Sequence, residues 1–469
     1  MRPLADIVYR ASRDRRATLF VTLLTVISYG VTLLRERANA MAFGTSGDLD
    51  AYLVAVSVIS LIAITPSRAL YEGLILATAS RGQRESEAAA ATARAAVGVG
   101  TLALVAVSVA ALAAAPVLVR LIAPDMSSSR ILEAEELARS LIPMIIALGV
   151  WEIVRGVLHG YHEFFSSSVL PIIAPLVTFV TVTTLNGVLG IHALVLGSLL
   201  GTGLQAVVGL VVLVRLGIPL ALSRSLFDLR SLRAIQGPAT ASSILAAVAM
   251  LWVSADRFLA SSLPEGRIAA LNYASSIYAA ASVVAITGTA TVAFPRLAQS
   301  AQAGTAQAFT SLLKRGVLDT AIVSLPMTIL LVAFAQPLVH LLLGSGRFDA
   351  VSERVTAESL VAYLVFLPLI APASVIARSV YALGLLRLIV AQSVLVLVAK
   401  VGLGLILRDS FQHVGVAAAS GVATIIVGAV VLVAALRAAR DLRTSAAAEA
   451  DLATDLPPEP PHAGTPIST

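Results

Sequence analysis

The chain contains no cysteine, which excludes disulfides and thiolate metal sites. Charge is scarce as well. Asp, Glu, Lys and Arg make up 13% of the 469 residues, about half the share usual in a soluble domain. Lys314 and Lys400 are the only lysines. The six histidines are scattered without HxxxH or HExxH spacing, and His159 with His162 is too sparse a pair to hold a metal. No nucleophile–base triad, P-loop or metal-binding motif is found, so no catalytic residue, cofactor or metal is expected, and the chain is read as a non-enzyme. The first apolar run has no small-residue cleavage site after it and is read as a retained helix. No connection is long enough for a soluble domain.

Apolar length is what remains. The composition is 58% hydrophobic with a mean hydropathy of +0.91, which defines a polytopic membrane protein. A membrane span needs roughly 20 apolar residues, and by that measure about twelve segments are expected, near 17–34, 49–66, 95–122, 138–160, 168–189, 192–214, 238–260, 268–294, 316–343, 356–383, 386–407 and 414–436. Alternate connections, with both termini, carry roughly 19 Arg and Lys against roughly 10 on the other side. The richer side is expected to be cytoplasmic, with both termini inside. The net charge of +6 follows from this asymmetry and does not signal nucleic acid. The expected organisation is a basic cytoplasmic N-terminus (1–16), a first lobe of six spans (17–214), a basic linker (215–237), a second lobe of six spans (238–440) and a disordered cytoplasmic tail (441–469).

The two halves repeat. PVLVRLIAPD from Pro116 and EIVRGVL around Arg155 are echoed by PLVHLLLGSG from Pro337 and VIARSVY around Arg378. SVISLIAIT from Ser57 is echoed by SVVAITGTA from Ser282, a few residues out of that register. An even number of spans per repeat makes the halves parallel, an arrangement that suits alternating access around a central site.

The stretch from Arg35 to Gly73 stands out because Arg35, Asp50, Arg68 and Glu72 lie in or beside the first two spans. Charges there cost about 2.5–3.5 kcal/mol each at mid-bilayer, so they must face one another or water. The stretch also carries part of a resemblance. LLRERANAMAFG at Leu33, DAYLVA at Asp50, SRALYEG at Ser67, LIAPDM at Leu121, LARSLIPMI at Leu137 and GVLHGYHEFFSSSVLPIIAP ending at Pro175 are followed by GPA at Gly237, DRFLASSLPEGRIAALNYA at Asp256 and GRFD at Gly346. In order and spacing over about residues 20–438 these pieces resemble the MurJ/MviN group of lipid II flippases in the MOP exporter superfamily. The resemblance implies a V-shaped, all-α inner-membrane protein of two six-helix lobes, with a cationic cavity that carries undecaprenyl-pyrophosphate-linked glycans across the bilayer for peptidoglycan or surface polysaccharide synthesis. Such a protein works beside the enzymes of cell-wall or polysaccharide synthesis.

By that resemblance Arg35 and Arg68 are candidate pyrophosphate contacts. Arginine suits the role because it stays ionised and binds phosphate bidentately. At a span end, Arg35 also fits an interfacial anchor, and Arg155 and Arg378 are read as anchors. Asp50 and Glu72 are expected to hold helices or a gate through ion pairs. Several family features are missing. The second-lobe Y-A-D-R motif stands here as Tyr273-Ala274-Ser275-Ser276, and Tyr29 and Ser57 replace basic positions. Two further carboxy-terminal helices common among lipid II flippases have no counterpart after the twelfth segment. Some members hold a cation between helices seven and eleven; aligned on the GVAAA run at Gly415, Lys400 falls on that site and Asp256 opposite it. The Lys400 ammonium is therefore expected to stand in for the ion and pair with Asp256, while pairing of Asp256 with Arg257 is the competing arrangement. A cation-coupled MATE-like drug exporter and a transport-inactive scaffold of the same fold remain as other readings.

Overall fold

The structure is a computed structural model that describes residues 2–79, 87–217, 236–302, 306–382 and 385–454. Most of the linker and residues 455–469 of the tail lie outside the described residues. Fifteen α-helices run in order: α1 (Arg2–Phe43), α2 (Gly47–Ala79), α3 (Glu87–Ile122), α4 (Ser128–Leu141), α5 (Pro143–Gly160), α6 (Phe164–Val169), α7 (Ile173–Leu189), α8 (Ile191–Arg215), α9 (Gln236–Ala260), α10 (Arg267–Gln302), α11 (Ala306–Ala333), α12 (Ala335–Leu343), α13 (Ala350–Leu364), α14 (Leu367–Ala382) and α15 (Leu386–Thr454). No strand occurs among the described residues. An apolar solvent demands this, since a helix satisfies its own backbone hydrogen bonds.

Nine helical stretches among the described residues are long and apolar enough to cross a membrane, and α13 with α14, bent by 46°, makes a tenth. The longest, Arg387–Val431, is two arms. It breaks at Gln412 (φ 47°, ψ −130°), and a Cβ on Gly415 would overlap the Leu407 carbonyl. In a straight helix residues 407 and 415 would stand about 12 Å apart, so the chain doubles back. With α1, which holds the expected span 17–34, the count reaches twelve. Two differences from the sequence reading concern breaks. The expected 138–160 span divides at Pro143, which starts α5 at a position where proline's missing N–H costs nothing. The 316–343 span divides at Phe334. At the ends, α1 takes in residues 2–16, and α15 runs on to Thr454 where a disordered tail was expected from 441.

The internal repeat is visible in backbone geometry, at one constant offset along the chain. Gly44 and Gly266 both turn at positive φ (60° and 86°). Gly190 (φ 53°, ψ −133°) has nearly the same conformation as Gln412, and Ser127 and Asp349 each precede a helix, α4 and α13. One lobe is α1–α8 and the other α9–α15. Within the first, α2 packs on α5 and α7 on α8; between them, α2 packs on α9 and α1 on α10. Apolar side chains such as Val188, Leu341 and Ile406 are left bare on the outside, where lipid, not water, is their solvent.

Candidate functional site

At the end where Gly44 and Gly266 turn, the lobes are clasped. Asp50, 4% exposed, accepts hydrogen bonds from the backbone N–H of Gly266 (2.6 Å) and Ala269 (2.7 Å). A carboxylate from the first turn of α2 thus occupies the N-terminus of α10, where unpaired amides and the helix dipole both favour negative charge. Tyr273 donates to the Gly44 carbonyl (3.1 Å), Arg37 to the Leu341 carbonyl (2.9 Å), and the Arg347 N–H to the Met41 carbonyl (3.0 Å). The close backbone approach requires glycine: a Cβ on Gly44 would overlap the Arg347 carbonyl, and one on Gly266 the Thr45 carbonyl. On the rim Arg130 pairs with Asp48, with Glu133 (2.7 Å) and with Glu265 of the other lobe (3.2 Å). Hydrogen bonds to Glu265 and Glu133 raise the Arg130 pKa further above its ordinary value. Asp50 therefore joins the lobes by capping a helix, not through the ion pair expected of it.

Deeper in the first lobe, Arg68 lies 3.6 Å from Glu72 and 3.6 Å from Glu152 of α5, with its guanidinium 4.2 Å from the Tyr71 ring centre. Arg155 approaches the same ring at 4.7 Å and bonds Glu152 at 2.5 Å. The Tyr71 hydroxyl meets His159 Nδ1 (2.7 Å), whose Nε2 meets Ser167 (3.0 Å). Gly156 lets the helices close up, since a Cβ there would come within 2.9 Å of Tyr71 backbone atoms. Two arginines stacked on one tyrosine and braced by Glu152, with Glu72 also beside Arg68, make a cluster of fixed shape. Glu72 pairs within its own helix, so Glu152 is the residue that ties α2 to α5. Glu152, Tyr71 and His159 did not stand out in the sequence, and Arg155 belongs to the cluster where an interfacial anchor was expected.

Arg35 sits elsewhere. It pairs with its neighbour Glu36, whose other oxygen accepts from Asn39 (3.3 Å). Arg35 lies eight residues inside the end of α1 and Arg68 twenty-one inside the start of α2, so at 1.5 Å per residue their depths differ by roughly 20 Å. The structure does not bring them into one patch. It does bring Lys400 and Asp256 together: Nζ lies 2.9 Å from Oδ1, donates to the Trp252 carbonyl (2.8 Å) and stands 4.0 Å above the Trp252 ring. Lys400 is fully buried, so a carboxylate, a carbonyl and an aromatic face surround the ammonium as oxygen ligands would a cation. No group of three or more acidic, His or Cys side chains suited to a metal occurs among the described residues.

Twelve crossings in two repeats, clasped at one end, make up the fold of the MOP superfamily. The fold is shared with a solved lipid II flippase MurJ in an inward closed conformation (TM-score 0.75, 19% identity, 94% of this chain and 93% of that one) and with an inward-facing MATE multidrug transporter (0.73, 15%, 89% and 96%). The family model for the lipid II flippase MurJ matches residues 39–454, and the chain belongs to that family. Among relatives, a probable lipid II flippase of Rickettsia prowazekii is 24% identical over 315 residues, 66% of this chain and 61% of that protein. One of Burkholderia cenocepacia is 24% identical over 363 residues, 74% and 69%. The chain thus spans somewhat under two thirds of the length of the first of these relatives.

Proposed function

We propose that the chain moves a polyprenyl-pyrophosphate-linked glycan, lipid II being the first choice, across the plasma membrane by alternating access. The observation that carries this reading is the Arg68–Tyr71–Arg155 cluster. Two guanidiniums are stacked on one ring and held in place by Glu72 and Glu152, yet keep 34% and 24% of their side chains exposed, so an anion can reach them. A diphosphate supplies that anion, and the family membership supplies the substrate class. The clasp at Asp50 closes one end. By the distribution of Arg and Lys that end is periplasmic, and the cytoplasmic end is where substrate enters. Opening then means withdrawing Asp50 from the α10 amides. Lys400 supplies a tethered cation where some family members bind a free one, which makes the cycle independent of sodium.

The test is complementation of a strain depleted of its lipid II flippase. Wild type restores growth and Arg68→Ala does not, while both reach the membrane in equal amount. Wild-type failure to restore growth sinks the lipid II reading.

A further inference from the structure

Among the described residues, no carboxylate forms a salt bridge with the buried Arg257. Arg257 on α9 is 9% exposed. With Trp252, Asp256, Asn272, Tyr278 and Tyr363 it lines a cavity of about 350 Å³ inside the second lobe. Its Nη1 donates to the Val253 carbonyl of its own helix (2.9 Å) and its Nη2 to Asn272 Oδ1 (3.3 Å). Both acceptors are neutral, and Nε, buried, has no partner at all. The Tyr363 hydroxyl and Ser420 Oγ on the same cavity are likewise buried without partners. The adjacent carboxylate, Asp256, is engaged by Lys400. Two cations therefore share one carboxylate, and a buried cation left over costs several kcal/mol unless an anion completes the site.

The repeat shows how this came about. The offset that relates Gly44 to Gly266 also relates Arg35 to Arg257, so the two arginines are equivalents in the two lobes. Arg35 is neutralised by Glu36, whereas Arg257 is followed by Phe258. Arg35 thus has a carboxylate hydrogen-bonded to it, whereas the side-chain partner of Arg257 is a neutral amide. Burying Lys400 against Asp256 removes the only acidic neighbour on α9 that could quench Arg257.

We propose that Arg257 is the second lobe's contact for a diphosphate anion, replacing the arginine missing at Ser276, and that Lys400 keeps it available by holding Asp256. This rests on the function proposed above, whose substrate carries that group. The probe is inorganic pyrophosphate, titrated calorimetrically against the purified full chain. Arg257→Gln weakens binding about 10- to 100-fold, the loss expected for charge-assisted hydrogen bonds. Lys400→Met weakens it to a similar extent although Lys400 touches no ligand, because Asp256 turns to Arg257. The double variant Asp256→Asn/Lys400→Met, with no carboxylate to turn, regains wild-type affinity. That restoration would not follow from a structural role for Lys400, and it covers the case in which Lys400→Met alone fails to fold. Unchanged affinity in Arg257→Gln, or no recovery in the double variant, overturns the inference. The titration is repeated in nanodiscs of phosphatidylcholine and of phosphatidylglycerol. Equal pyrophosphate affinity in both supports a diphosphate site, and its loss in phosphatidylglycerol assigns the cavity to lipid headgroups and overturns it. In the depleted strain, rescue by wild type and equal rescue by Arg257→Gln removes the inference and leaves the proposed function standing. Failure of wild type removes the proposed function, and the titration then decides Arg257 by itself.

Discussion

The two lobes place an arginine at the same point of the repeat and treat it oppositely. Arg35 carries Glu36 beside it; Arg257 carries Phe258, and its acidic neighbour on the other side is occupied by Lys400. The next equivalent pair differs too. Asp50 crosses the interface to the amides of α10, while its equivalent, Asn272, stays in its own lobe and accepts from Arg257. A duplicated fold thus keeps its backbone and divides the labour of its polar groups. In the first lobe they clasp the other lobe and compensate charge. In the second they leave one charge free. On the function and inference proposed above, cationic recognition is shared between Arg68 and Arg155 in one lobe and Arg257 in the other.

The sharpest way to break this contrast is to make the lobes alike at one residue. Phe258→Glu gives Arg257 the partner that Arg35 has. It is expected to abolish rescue of a flippase-depleted strain, whereas Phe258→Gln, similar in size but uncharged, keeps it. Equal behaviour of the two would show that charge at this point is immaterial. Asp50→Asn makes the gate position match Asn272. Asn has a single acceptor oxygen, so it can accept from only one of the two amides while its NH2 group faces the other N–H. Leaving that amide unpaired costs about 1–3 kcal/mol, so the clasp opens roughly 10-fold more often or beyond. Because the chain has no cysteine, Ser261→Cys, buried beside the clasp, gives a clean labelling site. A maleimide rate that does not rise in the Asp50→Asn background counts against the clasp.

The extent to which sequence reveals such features depends on what each leaves behind. The twelve crossings are legible because lipid enforces long apolar runs. The break at Gln412 falls between two expected spans, whereas those at Pro143 and Phe334 interrupt apolar runs without changing their composition and are not legible. Lys400 with Asp256 could be paired in advance because the family resemblance puts Lys400 on a cation site and Asp256 opposite it. The cap that Asp50 makes could not, since its partners are backbone amides and any residue supplies those. Glu72 drew attention in place of Glu152 because it neighbours Arg68 along the chain, but the ion pair that spans helices comes from α5. Arg257 was within reach: applying the offset of the repeat to Arg35 lands on it, yet as a residue near a span end it reads as part of a connection.

A third comparison concerns Gly156, whose equivalent in the second lobe is Arg378. In the first lobe the glycine admits the Tyr71 backbone, and Tyr71 in turn carries Arg68 and Arg155. Gly156→Ala puts a methyl group 2.9 Å from backbone atoms that cannot rotate away. Overpacking of this kind costs about 1–3 kcal/mol, read as a lower Tm in detergent, and it separates α2 from α5 at the cluster. An unchanged Tm would mean that the helices yield there, and the cluster would then lose its claim to fixed geometry.

The smallest effect contrasts the two helix starts that follow the clasp. Asp349 caps α13, accepting from the Ser352 N–H at 2.8 Å, whereas Ser127 at the equivalent point before α4 makes no side-chain cap. Asp349→Ala should cost about 1 kcal/mol, the usual value of such a cap, and Ser127→Ala nothing measurable. The two also differ with pH. The Ser352 N–H bond holds the Asp349 carboxyl below its ordinary value of 3.8, so its contribution is fully present above that value. It fades as pH falls from there through the lower folded pKa. The Tm gap between wild type and Asp349→Ala is therefore constant at neutral pH and narrows only in acid, while the Ser127→Ala gap stays at zero throughout. A gap that widened in acid would mean that the protonated carboxyl is the form the helix prefers, and the cap would have to be reassigned.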